Sequence, residues 1–217
     1  MKIHIRELMP TQNDAEALVA LVTELAVVER KSLSEVKLTP EKVLAEAFGE
    51  ERYFRALLAV TETGEPVGYA LYFYTYAGSA GAPILYLEDL YVRSELQGKG
   101  LGTAMLGALA ELAQKKKCCR LEFHVFRWNE KARLFYQSLG VELKEDLIQA
   151  RLWEGECLDQ LAGQAMSCLE IDLANLARRR KRCSLDELLK NVTPEKMKQL
   201  QKGIPSPDEG PSIGREI

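Results

Sequence analysis

The chain has 217 residues, of which 47% are hydrophobic and 28% charged, ordinary globular usage that excludes a disordered, collagen-like or disulfide-scaffold chain as its main state. Twenty-nine Lys and Arg against 32 Asp and Glu give a formal charge of -3, so no global pull toward nucleic acid exists and that partner is unexpected. Cys118, Cys119, Cys157, Cys168 and Cys183 include no CxxC pair, no secretory segment or membrane-length apolar run is expected, and two histidines, His4 and His124, offer no metal-ligand spacing; a reduced, soluble, cytoplasmic protein without metal is the expectation.

Residues 2 to 8 alternate as a strand, and Asn13-Asp-Ala-Glu introduces a helix whose Ala17, Leu18, Leu21, Val22 and Leu25 recur at helical spacing. A polar link leads to a second helix from Thr39 to about Phe48, where Thr-Pro-Glu supplies a cap, a preset φ and an acidic first turn. Arg55 to Thr61 and Pro66 to Tyr76, joined by Glu62-Thr-Gly-Glu, predict an antiparallel hairpin, and Ile84 to Val92 another strand. Then come a helix over Thr103 to Gln114, a strand at Leu121 to Phe126 and a helix from Asn129 to Leu139 ended by Gly140 in the left-handed region. Weak strands are expected at Val141 to Leu143 and Leu147 to Trp153. The compact part is assigned to residues 1 to 163. Residues 164 to 217 form a basic, partly helical or disordered extension, with five consecutive cations at Arg178 to Arg182 and a capping box at Ser184 and Glu187.

Gln97-Gly-Lys-Gly-Leu-Gly102 stands between a strand and a helix. Its glycines let successive N–H groups converge, and the helix start adds positive dipole, a geometry that binds a diphosphate. It is not a Walker motif, and it lies far from the first strand, where a dinucleotide fingerprint belongs. Glu88 and Asp89 are consecutive in a strand, and period-two alternation sends them to opposite faces.

A strand ending in Leu-Tyr-Val followed by this loop resembles the acetyl-coenzyme A motif of the GNAT superfamily of N-acetyltransferases. Within it, the chain is similar to the spermidine/spermine (diamine) N-acetyltransferases through Glu24-Leu-Ala, Phe48-Gly-Glu, Tyr86-Leu-Glu-Asp-Leu-Tyr-Val92, Trp128-Asn129, Leu134-Phe-Tyr-Gln-Ser-Leu-Gly140 and Gly155-Glu156. The resemblance implies an α/β (α+β) fold with a mostly antiparallel, splayed central sheet flanked by helices. It also implies acetyl-coenzyme A as cosubstrate, a homodimer, and direct transfer of acetyl to a primary amine of a small molecule such as a polyamine, diamine or amino acid.

By the same resemblance Leu90, Tyr91 and Val92 meet the pantetheine arm, and Gln97, Gly98, Lys99, Gly100, Leu101, Gly102 and Thr103 hold the diphosphate. Asn129 and Tyr136 lie beside the sulfur, with Tyr136 as general acid. Glu88 receives the amine proton through water, Asp89 caps a neighbouring loop, and Glu29, Glu88, Asp89 and Trp128 face the acceptor, with Glu35, Glu50 and Glu51 as further acidic groups. Arg127 stands where the diamine enzymes typically have Asp, and Leu147-Ile-Gln-Ala-Arg151 replaces an aromatic segment. The C-terminal region, about residues 178 to 217, resembles the toxin-binding part of MazE-type antitoxins through Ser184-Leu-Asp-Glu-Leu-Leu-Lys and the terminal Gly210-Pro-Ser-Ile-Gly-Arg-Glu-Ile, which implies a MazF-type toxin as a partner and an alternative role as an interaction protein.

Overall fold

In the computed structural model, which describes residues 2–151 together with Asp159 and Ala162, the strands form one five-stranded sheet of order β1-β2-β3-β4-β5. β1 (Ile3–Glu7), β2 (Arg55–Thr61), β3 (Pro66–Ala77) and β4 (Ala82–Val92) pair antiparallel in chain order, as tight turns between β2, β3 and β4 require. β5 (Arg120–Phe123) joins β4 in parallel, and the crossover this demands is helix α3 (Leu101–Lys115). The fold is thus an α/β GNAT-type arrangement, a mixed central sheet flanked by helices.

Helices cover both faces, so β2 is buried along nearly its whole length. Leu57 and Ala59 join Ala70, Leu85, Leu87, Met105 and Leu109 on the α3 side. Ala56, Leu58 and Val60 join Leu18, Leu21, Val43 and Tyr69 beneath α1 (Gln12–Val28) and α2 (Pro40–Phe48). Leu58 and Leu109 are fully buried; truncating either to Ala would cost about 2–5 kcal/mol.

Each helix start has a chemical reason. Thr11 Oγ1 accepts from Asp14 N at 3.3 Å, and Thr39 Oγ1 from Lys42 N at 3.3 Å. Asp14 also ties α1 to β1, accepting the fork of Arg6 at 2.5 and 2.8 Å and the N–H of Met9 at 2.8 Å. The ends of α1, α3 and α4 (Glu130–Ser138) share one motif, in which the residue three beyond the helix bonds back five positions: Lys31 N to Ala26 O, Cys118 N to Ala113 O and Val141 N to Tyr136 O. The left-handed position of that motif is Gly140 at α4, as its sequence predicts, but Arg30 (φ 61°) at α1 and Lys117 (φ 55°) at α3.

The chain divides into two compact units, Met1–Val141 and Glu142–Ile217. The strands expected at Val141 to Leu143 and from Leu147 onward are not formed over residues 141–151. Glu142, Lys144, Glu145 and Asp146 are exposed, and the apolar Leu147 and Ile148 are exposed with them, Ile148 at 93%, so this stretch buries no apolar face. β5 stops at Phe123, short of the expected Phe126. The boundary near Gly163, the run Arg178 to Arg182 and the MazE-like segment lie outside the described residues. No helix among the described residues is long and apolar enough to cross a membrane, and among them no group of three His, Cys, Asp or Glu could hold a metal ion.

Candidate active site

β4 and β5 pair only from Ile84↔Arg120 to Leu87↔Phe123. Beyond Leu87 the strands part, and β4 continues to Val92 with β3 on one edge and no strand on the other. A second irregularity coincides with the first: Tyr72 pairs with Leu87 and Leu71 with Asp89, which leaves Glu88 as an extra residue in β4. Leu87 therefore packs on the α3 side, while Asp89, two residues on, bonds to Tyr69 on the α1 side. The regular alternation expected of Glu88 and Asp89 does not hold across the bulge. Glu88 projects into solvent, close enough for its charge to bear on Asp89.

The glycine loop follows. Gly98 and Gly100 have φ of 73° and 86°, and Gly100 is the N-cap of α3 with no side chain capping the helix. The first N–H groups of α3, on Leu101, Gly102 and Thr103, thus lack an internal partner and face outward with the helix dipole. Gly102 differs from the other two in lying against α4, where a Cβ would meet Phe135 Cζ at 3.4 Å, an ordinary contact. A cavity of about 470 Å³ lined by Ile3, Leu96, Lys99, Gly100, Leu101 and Ala104 opens beside this helix start. An uncapped helix start with a lysine next to it is the donor set a diphosphate needs. Gln97 is committed elsewhere: Nε2 donates to Val92 O at 2.8 Å, Oε1 accepts from Lys131 Nζ at 2.7 Å, and its N–H goes to Ser94 O. It braces the loop against β4 and α4.

α4 brings up the next residues. Asn129 is its N-cap, Oδ1 accepting from Ala132 N at 3.1 Å. Tyr136 is buried, its ring 4.4 Å from that of Phe123 and 5.2 Å from that of Phe135. Phe123 is the register partner of Leu87, so Tyr136 stands where the strands part, next to the bulge. Burial pushes its hydroxyl up to about 12, which keeps the proton on the phenol at neutral pH.

On the α1 side, Tyr69 OH donates to Asp89 Oδ2 at 3.0 Å. Burial pushes the Asp89 carboxyl up to about 6, with Glu88 and Glu29 acting in the same direction and Tyr69 and Lys31 against it. Lys31 pairs with Glu29 at 2.5 Å. Tyr91 OH donates to Glu24 Oε2 at 3.1 Å, and Arg93 bridges Glu24 and Glu65 at 2.9 and 2.6 Å, fixing the end of β4 before the glycine loop. Trp128, 53% exposed, stacks on Phe126 with ring centres 5.5 Å apart, and the Arg30 guanidinium carbon lies 5.7 Å from the Trp128 ring centre.

Glu29, Glu88 and Asp89 are therefore brought together and Trp128 is joined to them through Arg30, the neighbour of Glu29. Asp89 accepts from Tyr69 rather than capping a loop. Glu35 accepts from Ser32 N while its charge still bears on Lys31, and Glu51 accepts from Tyr53 OH. Tyr69, Arg30 and Lys31 were not singled out by the sequence: Tyr69 reads as a core aromatic in an apolar run, and Arg30-Lys31 as part of a polar link. Tyr86 OH and His124 Nδ1 form a further hydrogen bond next to the bulge. Cys118 is no activated nucleophile, since burial and Cys119 raise its thiol.

A sequence model described as the acetyltransferase (GNAT) family matches residues 22–141. A thialysine N-epsilon-acetyltransferase of Bos taurus is 36% identical over 165 residues, covering 70% of this chain and 94% of that protein. A spermidine/spermine N(1)-acetyltransferase-like protein 1 of Homo sapiens is 35% identical over 133 residues, 58% of this chain and 19% of that protein. Among solved structures, an integron cassette protein from the mobile metagenome of V.cholerae superposes with a TM-score of 0.61 at 26% identity, covering 75% of this chain and 98% of its own.

Proposed function

Because the chain belongs to the acetyltransferase (GNAT) family and is an acetyl-coenzyme A-dependent N-acetyltransferase acting on an amine, we propose that its acceptor is a primary amine of a small molecule: a polyamine, a diamine or an amino acid. The relatives' names, which give the ε-nitrogen of thialysine and N1 of spermidine or spermine, support that range of acceptors. The observation that carries the reading is the parting of β4 from β5 at the Leu87↔Phe123 pair, with Tyr136 stacked on Phe123.

Acetyl-coenzyme A supplies the acetyl group as a thioester. The backbone of Leu90, Tyr91 and Val92 along the open edge of β4 receives the pantetheine arm. Gly98, Lys99 and Gly100, with the N–H groups of Leu101, Gly102 and Thr103, receive the diphosphate, while Gln97 holds the loop in place and Asn129 fixes the start of α4. Glu88 takes a proton from the acceptor ammonium through water, so that the amine nitrogen can bond to the acetyl carbon as the carbon–sulfur bond breaks. Tyr136 gives its proton to the departing thiolate. A backbone N–H released from the ladder at the bulge meets the negative charge that develops on the carbonyl oxygen. In the same proposal the catalytic domain extends to about Gly163, with residues 164–217 as a separate extension, and the protein forms a homodimer.

Thiol release from acetyl-coenzyme A, measured with spermidine, spermine, short diamines, lysine analogues and small amino acids, tests this reading. Turnover with at least one amine, strongly reduced in Tyr136→Phe, is the expected result. Confirmed coenzyme binding with no thiol release for any amine would refute it.

A further inference from the structure

Arg30 occupies a position that favours glycine. It is the left-handed residue of the motif closing α1, with φ 61°, its N–H bonded to Val27 O at 3.1 Å and Lys31 N bonded to Ala26 O at 2.9 Å. A side chain there strains the backbone, and glycine is the residue most often found at such ends. Strain retained beside a site is a reason to ask what the side chain does. Here the guanidinium is exposed, lies 5.7 Å from the Trp128 ring centre, and has no ion pair or hydrogen bond to another side chain among the described residues. Its neighbour Lys31, by contrast, is bound to Glu29.

The surroundings give Arg30 a direction as well as a charge. Lys31 and Glu29 both act on the Asp89 carboxyl, so the end of α1 borders the acidic cluster at the bulge. Trp128 immediately precedes Asn129, the cap of the helix that carries Tyr136. Arg30 thus bridges the two walls of the acceptor mouth, with carboxylates (Glu29, Glu88, Asp89) inside and a guanidinium at the rim. Arg127, exposed in the same loop, adds a second positive charge. A diamine has a cation at both ends and would meet Arg30 with repulsion. An acceptor with an ammonium at one end and a carboxylate at the other matches both charges, and a guanidinium placed over an indole keeps its donors for a carboxylate.

We propose that Arg30 anchors the carboxylate of the acceptor, so that this chain selects a diamino acid over the diamine of the same length. This rests on the small-amine reading given above and adds to it the acceptor class and the residue that sets it. Arg30 is a binding residue and takes part in no bond-making step.

The test compares L-ornithine with 1,4-diaminobutane, a pair that differs only in the carboxylate, by thiol release from acetyl-coenzyme A. Wild type, Arg30→Gly and Arg30→Lys are assayed in parallel. One hydrogen-bonded charge pair predicts a preference of about 10- to 100-fold in kcat/KM for L-ornithine in wild type. Arg30→Gly removes most of that preference by raising KM of the amino acid and, as the repulsion is lifted, lowering KM of the diamine. Arg30→Lys, which keeps the charge, retains part of it. Arg30→Gly suits the local backbone, so its Tm should be unchanged or higher, which separates lost selectivity from lost fold. Preference of wild type for the diamine, or equal effects of Arg30→Gly on both acceptors, would overturn the assignment while leaving the small-amine reading standing. Turnover of neither acceptor, alongside turnover of spermidine, would also overturn it. Turnover of no amine at all would remove the small-amine reading, and this assignment with it.

Discussion

The Tyr69 hydroxyl reaches from the core to Asp89 on the neighbouring strand, donating to Oδ2 at 3.0 Å. This bond holds the residue that follows the bulge, and it gives a protonatable carboxyl a fixed place beside Glu88.

The first prediction concerns pH and Asp89. Its carboxyl titrates near 6 in the folded protein, above the unfolded value of about 3.9. The folded state therefore binds this proton more tightly, so its stabilising effect is full below about pH 4 and is lost as pH rises through 6. Asp89→Asn, which never ionises and can still accept from Tyr69, should be more stable than wild type by about 1–2 kcal/mol at pH 7.5, with the gap closing by pH 4. Urea titrations at the two pH values check it.

Asp14 should behave in the opposite sense. Burial alone would raise its carboxyl, but the Arg6 fork and the Met9 N–H outweigh burial and hold it below its ordinary value. Its stabilisation is present above the unfolded pKa and is lost as pH falls through the folded one. Asp14→Asn should cost about 2 kcal/mol at pH 7, with the difference from wild type shrinking as pH falls toward 3. Thermal melts across that range measure it.

Tyr136→Phe keeps the ring on Phe123 and removes the hydroxyl. The expected result is a fall in kcat of about 100-fold with KM for acetyl-coenzyme A little changed and Tm within about 2 °C. Because the phenol titrates near 12, wild-type kcat should show no loss from this group up to pH 9.5. Steady-state assays over pH 6 to 9.5 would reveal a contrary alkaline limb.

Gly100→Ala places a Cβ at φ 86°, a strain of about 1–2 kcal/mol. Relaxing that strain would turn the first N–H groups of α3 away from their common point. Acetyl-coenzyme A should bind about tenfold more weakly by calorimetry, while a matched change at Gly107, which has open space around it and ordinary φ, should leave binding unchanged.

Much of this arrangement is legible in the sequence because it is local. Thr39-Pro40-Glu41 predicts a helix to Phe48, and α2 has that extent. Arg55 to Thr61 matches β2, and Gly140 adopts the left-handed conformation its place after a helix predicts. What escaped depends on partners. The bulge at Glu88 exists only relative to Tyr72 and Leu71 on β3, and nothing in Leu-Glu-Asp-Leu itself marks it. Period-two reasoning therefore does not carry from Leu87 to Asp89, which lie on opposite sides although two residues apart. Arg30 looked like link sequence because a helix end closed by arginine carries no glycine to announce it. Gln97 was read as a ligand-binding residue from its motif, whereas its amide is taken by Val92 and Lys131, contacts that no spacing rule contains.

The extra residue at Glu88 also makes β4 sensitive to length in a way that substitution would not reveal. Upstream of it, Leu85 and Leu87 are in phase with α3; downstream, Leu90 and Val92 are in phase with α3 only because one position has been skipped. Deleting the Glu88 codon would restore a regular ladder with Leu90 and Val92 still under α3 and Asp89 still toward Tyr69, so what the extra residue supplies is the break in the ladder itself. Exchanging the Glu88 side chain leaves that break in place and only removing a residue closes it, so the strand's tally of residues carries information that its side chains do not.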